Sequence, residues 1–200
     1  VDDYAIITIG SGNVAGSGPL SDNTIPNADN TIPSGQGFFV RGLATQPITF
    51  NNSMRKADLV SNNQFFRTSS RTSNANRLWI DLESDTGLFN QILVAYVDGA
   101  TNDFDGFSYD APRNLSSGNA SVIYTEIEND DRKFAIQGKN ADDLNIDEVI
   151  PFGFYTSIDI ATIYSFSIPQ TEGAFFESNT VYIHDKYLNI FHDLRFFTIY

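Results

Sequence analysis

The six residues Ile92-Leu93-Val94-Ala95-Tyr96-Val97 are apolar without a break. A strand with one wet face alternates apolar and polar side chains, whereas a strand apolar on both faces has to lie between two covering layers. This run therefore predicts a central strand. Just upstream, Arg77-Leu78-Trp79-Ile80-Asp81-Leu82 does alternate. Leu78, Ile80 and Leu82 share one face, and Arg77, Trp79 and Asp81 share the other, the pattern of a half-buried strand. Asp85-Thr86-Gly87 between the two runs is a turn signal.

The same kind of text recurs along the chain. Strand-like runs occur at Tyr4 to Ile9, Val122 to Ile127, Lys133 to Gln137, Val149 to Tyr155, Ile163 to Ile168, Thr180 to His184 and Phe196 to Tyr200. Val122 to Ile127 and Lys133 to Gln137 flank the turn Glu128-Asn129-Asp130-Asp131 and predict a hairpin. Gly37 to Val40 and Pro47 to Phe50 predict another. In the Ile163 run, Tyr164, Phe166 and Ile168 face one way. Helical periodicity never lasts beyond a turn or two, and Leu144 to Glu148 predicts at most one short turn. Residues 10–34 and 68–76 read as long loops. About ten short strands with turn signals between them predict an all-β domain over 1–200, an antiparallel β-sandwich or jelly roll.

The hydrophobic share of 41%, with 17 Phe and 9 Tyr, supplies enough apolar surface for a core and excludes wholesale disorder. The net charge of −13 argues against nucleic acid and against an anionic membrane surface, since both need clustered Lys and Arg. It suits hard cations such as calcium. With no Cys, disulfides and thiolate metal sites are excluded, which is compatible with secretion. No apolar run is long enough for a membrane-spanning helix, so membrane insertion is not expected. The chain opens Val1-Asp2-Asp3-Tyr4 without an initiator Met, and both ends fall in strand-like text. This predicts a segment of a longer chain, a sandwich incomplete at both ends.

The densest reactive text is Ala100 to Ala111, ATNDFDGFSYDA. Asp103, Asp105 and Gly106 follow a D-x-D-G spacing. An EF-hand register fails, because it puts Thr101 at position 1 and Pro112 at position 12. Two readings stay open. One is a calcium site of another kind, built from Asp103, Asp105 and Asp110. The other is a structural loop in which aspartates cap backbone N–H groups, Gly106 takes a positive φ, and Tyr109 and Phe107 anchor it to the core.

Other candidates are weaker. The glycine run Gly10 to Gly18 lacks the P-loop pattern, and Pro19 and Pro26 prevent the helix a phosphate site requires. His184 and Asp185 are neighbours on a strand and point to opposite faces, so they make no catalytic pair. Glu126, Glu172 and Glu177 are the acids considered for glycoside cleavage, with nothing in the local sequence to distinguish them. Trp79, the one tryptophan, is the candidate sugar-stacking ring, with packing in the core as the alternative.

Several pieces also stand in a familiar order. They are GQGFFV (Gly35 to Val40), ITFNNSMR (Ile48 to Arg55), QFFR (Gln64 to Arg67), RLWIDL (Arg77 to Leu82), GLFNQILVAYVDGAT (Gly87 to Thr101), DFDGFSYDA (Asp103 to Ala111), IYTEIENDDRKFAIQGK (Ile123 to Lys139), VIPFGF (Val149 to Phe154) and VYIHDKYLNIFHDL (Val181 to Leu194). From about Gly35 onward the chain resembles the β-sandwich region that precedes the C-terminal sorting domain in type IX secretion system surface proteins. The resemblance implies a non-catalytic structural module of a secreted or cell-surface, adhesin-like or gliding-associated protein. It implies other domains of the same chain and the secretion machinery as partners, and an extracellular location. No cofactor is expected, calcium apart. A glycan- or calcium-binding module is the alternative expectation, and a glycoside-active enzyme domain the second.

Overall fold

The apolar run predicted as a central strand has covered faces on both sides. A computed structural model describes residues 6–8, 10–14, 44–45, 47–55, 75–113, 115, 121–194 and 198–199. In chain order the strands are β1 (Ile6–Ile7), β2 (Asn13–Val14), β3 (Asn76–Ser84), β4 (Phe89–Val97), β5 (Ala111–Pro112), β6 (Ser121–Glu126) and β7 (Lys133–Asn140). They continue as β8 (Phe152–Thr156), β9 (Tyr164–Ser167), β10 (Thr171–Glu172), β11 (Tyr182–Asp185), β12 (Ile190–Asp193) and β13 (Thr198–Ile199). A five-residue helix, α1 (Ala174–Ser178), lies between β10 and β11.

The main sheet has the order β13-β9-β3-β4-β7-β6-β8, with β10 paired to β3 and β5 to β7. β3 and β4 form a hairpin with Leu78 opposite Val94 and Ile80 opposite Ile92. The predicted turn closes it, with Gly87 at φ 85° and its N–H donating to the Ser84 carbonyl at 3.1 Å. β6 and β7 pair antiparallel as expected, Thr125 opposite Phe134. The chain is all-β in character, but the sheet is mixed rather than antiparallel throughout. β4 and β7 run parallel, Leu93 opposite Ile136 and Ala95 opposite Gly138. Parallel neighbours need a long crossover, and residues 98–132, which carry β5 and β6, provide it.

The sheet curls. Phe152 and Phe154 of β8 meet Phe166 of β9 edge-on at 5.7 and 6.4 Å, and Phe154 meets Tyr164 at 4.9 Å. The hydroxyls of Ser121, Thr156 and Tyr164 close a triangle at 2.8, 2.8 and 2.9 Å. Inside the curl Leu78, Ile80, Leu82, Ile92, Ile123, Phe166 and Leu194 form one core, with Tyr164, Ile168, Phe176, Val181 and Ile183 packed on it. The common facing read for Tyr164, Phe166 and Ile168 thus holds. On the other face Val14, Trp79, Leu93, Ala95, Val97, Ala111 and Ile136 form a second core, joined by Ile6 and Tyr109.

Three expectations change. β3 is buried on both faces, not one, because the β1–β2 hairpin covers the side that carries Arg77 and Trp79. Within the predicted loop 10–34, Asn13 and Val14 pair back on Ile7 and Ile6. Pro47 to Phe50 forms no strand, and Ile48 and Phe50 are exposed; its proposed partner Gly37 to Val40 lies outside the described residues, as does Gln64 to Phe66. Leu144 to Glu148 does hold one turn, closed by the Glu148 N–H donating to the Asn145 carbonyl at 3.3 Å, and a 3-10 turn at Ala141–Asp143 precedes it. Of loop 68–76 only the last two residues are described, and Asn76 already belongs to β3. Among the described residues no helix is long and apolar enough to cross a membrane.

Candidate functional site

The aspartate-rich loop between β4 and β5 lies on the outer core and is tied down from several directions. Asp110 is completely buried. Its Oδ2 accepts the Asp105 N–H at 2.8 Å, and its Oδ1 accepts the Gly138 N–H of β7 at 2.9 Å. Burial pushes this carboxyl up to about 6, against the pull of the two backbone N–H groups. Asp105 accepts the backbone N–H of Thr101, and the Thr101 hydroxyl at 2.8 Å. Asp103 is exposed, and its N–H donates to Thr101 Oγ1 at 3.2 Å. Gly106 has the expected positive φ, 79°.

Asp105 and Asp110 meet through the Asp105 N–H, and both spend carboxylate oxygens on backbone N–H groups. Among the described residues no group of three or more acidic or histidine side chains is placed to hold a metal ion. The geometry is that of the second sequence reading, in which carboxylates cap N–H groups. Tyr109 is anchored to the core as expected; the side chain of Phe107 lies outside the described set.

Tyr109 also joins three segments. The Ser108 carbonyl accepts the Gly10 N–H at 2.6 Å, and the Tyr109 carbonyl accepts the Ser11 hydroxyl at 2.6 Å. A Cβ on Gly10 would sit 2.2 Å from the Tyr109 ring. A Cβ on Gly138 would sit 2.7 Å from both Tyr109 Cβ and Ser11 Oγ. Glycine is required at both positions because backbone and ring approach closer than any side chain permits. The same hairpin is held from β3, where Arg77 Nε donates to the Ser11 carbonyl at 2.6 Å and Nη1 to Glu172 Oε2 at 2.7 Å. On the loop's flank, the Arg132 guanidinium lies 3.6 Å over the Phe104 ring and is chelated by Asp130.

Asp81 was read as facing a wet side. It is buried, with Oδ1 accepting from Gln91 Nε2 at 2.7 Å, and burial pushes its carboxyl up to about 7. Perturbed carboxyls often mark active sites. Here the cause is burial under the outer core, and the partner is a cross-strand amide. The glutamates weighed for glycoside chemistry are dispersed: Glu126 pairs with Lys133, Glu172 with Arg77, and Glu177 is exposed on α1.

Trp79 is 3% exposed and sits in the outer core, so it offers no ring to a sugar. Among the aromatic side chains turned to solvent are those of the β11–β12 hairpin. Tyr182 is 54% and Phe191 66% exposed, and the His184 ring stacks on Phe191 at 4.2 Å and 7°. His184 Nε2 shares a hydrogen bond with Asn189 Oδ1 at 3.0 Å, while Asp185 caps the turn by accepting the Tyr187 and Leu188 N–H groups. Thr180 to His184 was legible as a strand, but its return strand was not. The signal that could have found it is the alternation Tyr182-x-His184 followed by Asn189, whose φ of 55° turns the chain back.

The chain belongs to a family described as a domain of unknown function (DUF8693), whose model matches residues 2–198. No curated protein and no solved structure matches it.

Proposed function

We propose that this domain is a non-catalytic structural module of a secreted or cell-surface, adhesin-like protein exported by the type IX secretion system. The ordered motifs from GQGFFV to VYIHDKYLNIFHDL support the export context. The observation that carries the structural role is Asp110. The one stretch that promised chemistry has its most buried carboxylate fixed between two backbone N–H groups, joining the loop to β7. A reacting carboxylate has to face substrate; this one faces the frame. We read β6, β8 and the small β11–β12 sheet as the second layer of a sandwich over β9, β3 and β4. On this reading the module spaces upstream domains from a sorting signal.

A domain exchange in the full-length protein tests the proposal. Replacing these residues with an unrelated β-domain of similar size should keep export and surface attachment. Loss of either, with the replacement domain folded, overturns the spacer role.

A further inference from the structure

We propose that the outer edge of β8 pairs antiparallel with β8 of a second copy of this chain. This goes beyond the structural role above. β8 ends the main sheet, with β6 as its one strand partner among the described residues. The phase of that pairing fixes what the outer edge carries. The Glu126 N–H donates to the Pro151 carbonyl at 3.0 Å, whereas the Ile123 N–H turns away to Asn90 Oδ1 at 3.1 Å. Main-chain groups alternate in direction along a strand. Val122 and Tyr124 therefore bond Tyr155 and Gly153, their register partners, and Phe152 and Phe154 aim N–H and C=O out of the sheet. Such an edge is a template for another strand, and natural sheets guard it with charge or proline. Residues 150–158, IPFGFYTSI, carry no charge in a chain of net charge −13. The one proline, Pro151, stands before the strand, and its carbonyl faces β6.

The side chains select a second copy as the occupant. A two-fold axis through Phe154 sets Phe154 opposite its own copy, and the outward groups of the two strands bond each other. The neighbouring positions then place Tyr155 of each copy opposite Gly153 of the other, the one large side chain on that face against the residue with none. Phe154 is held edge-on against Tyr164 at 4.9 Å yet stays exposed, as does Tyr155, and the pairing covers both rings. Beyond the strand, the antiparallel arrangement brings exposed Val149 of one copy towards exposed Ile160 of the other. One strand pair with its flanks lies at the small end of specific interfaces, so the dimer is weak, with a dissociation constant of roughly 0.1 mM.

The test is sedimentation of the chain from about 10 µM to about 1 mM, with amide hydrogen exchange read residue by residue at both ends of that range. Dimers are expected at the upper end. The Phe152 and Phe154 amides should exchange about fourfold more slowly there than in the dilute sample, while the Gly153 and Tyr155 amides, bonded to β6, keep the same protection at both. Tyr155→Glu, which charges the edge, should raise the dissociation constant about tenfold or more, with a melting curve to confirm that it folds. If it does not fold, the exchange pattern of the unaltered chain decides alone. A chain that stays monomeric throughout overturns the proposal. A dimer that leaves the Phe152 and Phe154 amides unchanged does so too, by placing the contact elsewhere. Protection of those amides that ignores concentration also overturns it, by assigning the edge to a segment of the same chain. None of these outcomes bears on the domain-exchange test.

Discussion

Residues 98–112 and the β11–β12 hairpin both mix aspartates with aromatic side chains, yet one turns them into the protein and the other into solvent. The difference lies in what each segment meets. The loop lands on a sheet face where Gly138 and Gly10 leave room for Tyr109 and where the Gly138 N–H donates to Asp110 Oδ1. The hairpin packs its base on the inner core, while Tyr182 and Phe191 on its outer face are exposed. Local composition therefore says little about role here. The surface on which a segment lands decides it.

The sharpest way to break the comparison is through the buried acids. Asp81 ordinarily titrates near 3.8 but is held at about 7 in the folded chain. The folded state thus binds its proton more tightly than the unfolded state. The stability this contributes is fully present below about pH 4, is lost as pH rises, and stays lost above about pH 7. At ~1.4 kcal/mol per tenfold, the loss approaches about 4 kcal/mol. Asp81→Asn keeps the acceptor for Gln91 and removes the titration. Melting temperature against pH should fall from pH 4 to 7 in the wild type and run flatter in the variant. Parallel curves would show that Asp81 is not desolvated as described.

Asp110→Ala at neutral pH comes next. It leaves the Gly138 and Asp105 N–H groups without their acceptor, so a loss of about 2–3 kcal/mol is expected in denaturant melts. The same truncation at exposed Asp103 should change stability by less than about 0.5 kcal/mol. Equal effects at the two positions would sink the claim that they differ in kind. Gly138→Ala should cost about 2 kcal/mol through overpacking against Tyr109 and Ser11. Pairing it with Ser11→Ala, which removes the Oγ that the new Cβ would meet at 2.7 Å, should recover part of that loss, because the clash then has one wall fewer.

How much of this the chain announces in its text follows the same division. The Ile92 to Val97 run and the Asp85-Thr86-Gly87 turn were legible because the signal and its structural cause lie within a few residues. The double burial of β3 was not. Arg77 and Asp81 look like solvent-facing residues until Ser11, Glu172 and Gln91 supply partners from distant parts of the chain. The parallel β4–β7 pairing depends on a crossover of residues 98–132, which no local pattern encodes. Trp79 was readable as core or platform, and the covering β1–β2 hairpin decides for core. In the candidate loop, capping by aspartates and the positive φ of Gly106 were foreseeable; the Asp110–Gly138 bond, spanning 28 positions, was not.

On the hairpin, Tyr182→Ala and Phe191→Ala should each change stability by less than about 0.5 kcal/mol, since their rings are mostly in water. Ile183→Ala, one residue from Tyr182 but packed on the inner core, should cost more than either. If the outward truncations unfold the chain, the ribbon is covered and the contrast with the loop disappears.

The smallest expected effect is that of calcium, and it probes the loop directly. A cation at Asp103, Asp105 and Asp110 would have to take carboxylate oxygens that now accept the Thr101, Asp105 and Gly138 N–H groups. Displacing those acceptors leaves donors unsatisfied, and the loss offsets what coordination gains. Millimolar calcium should therefore leave the melting temperature where chelator leaves it. A rise with calcium that Asp103→Asn abolishes would mean the loop rearranges around the ion. The carboxylates would then belong to a binding site, and the loop would resemble the hairpin in having its chemistry turned outward.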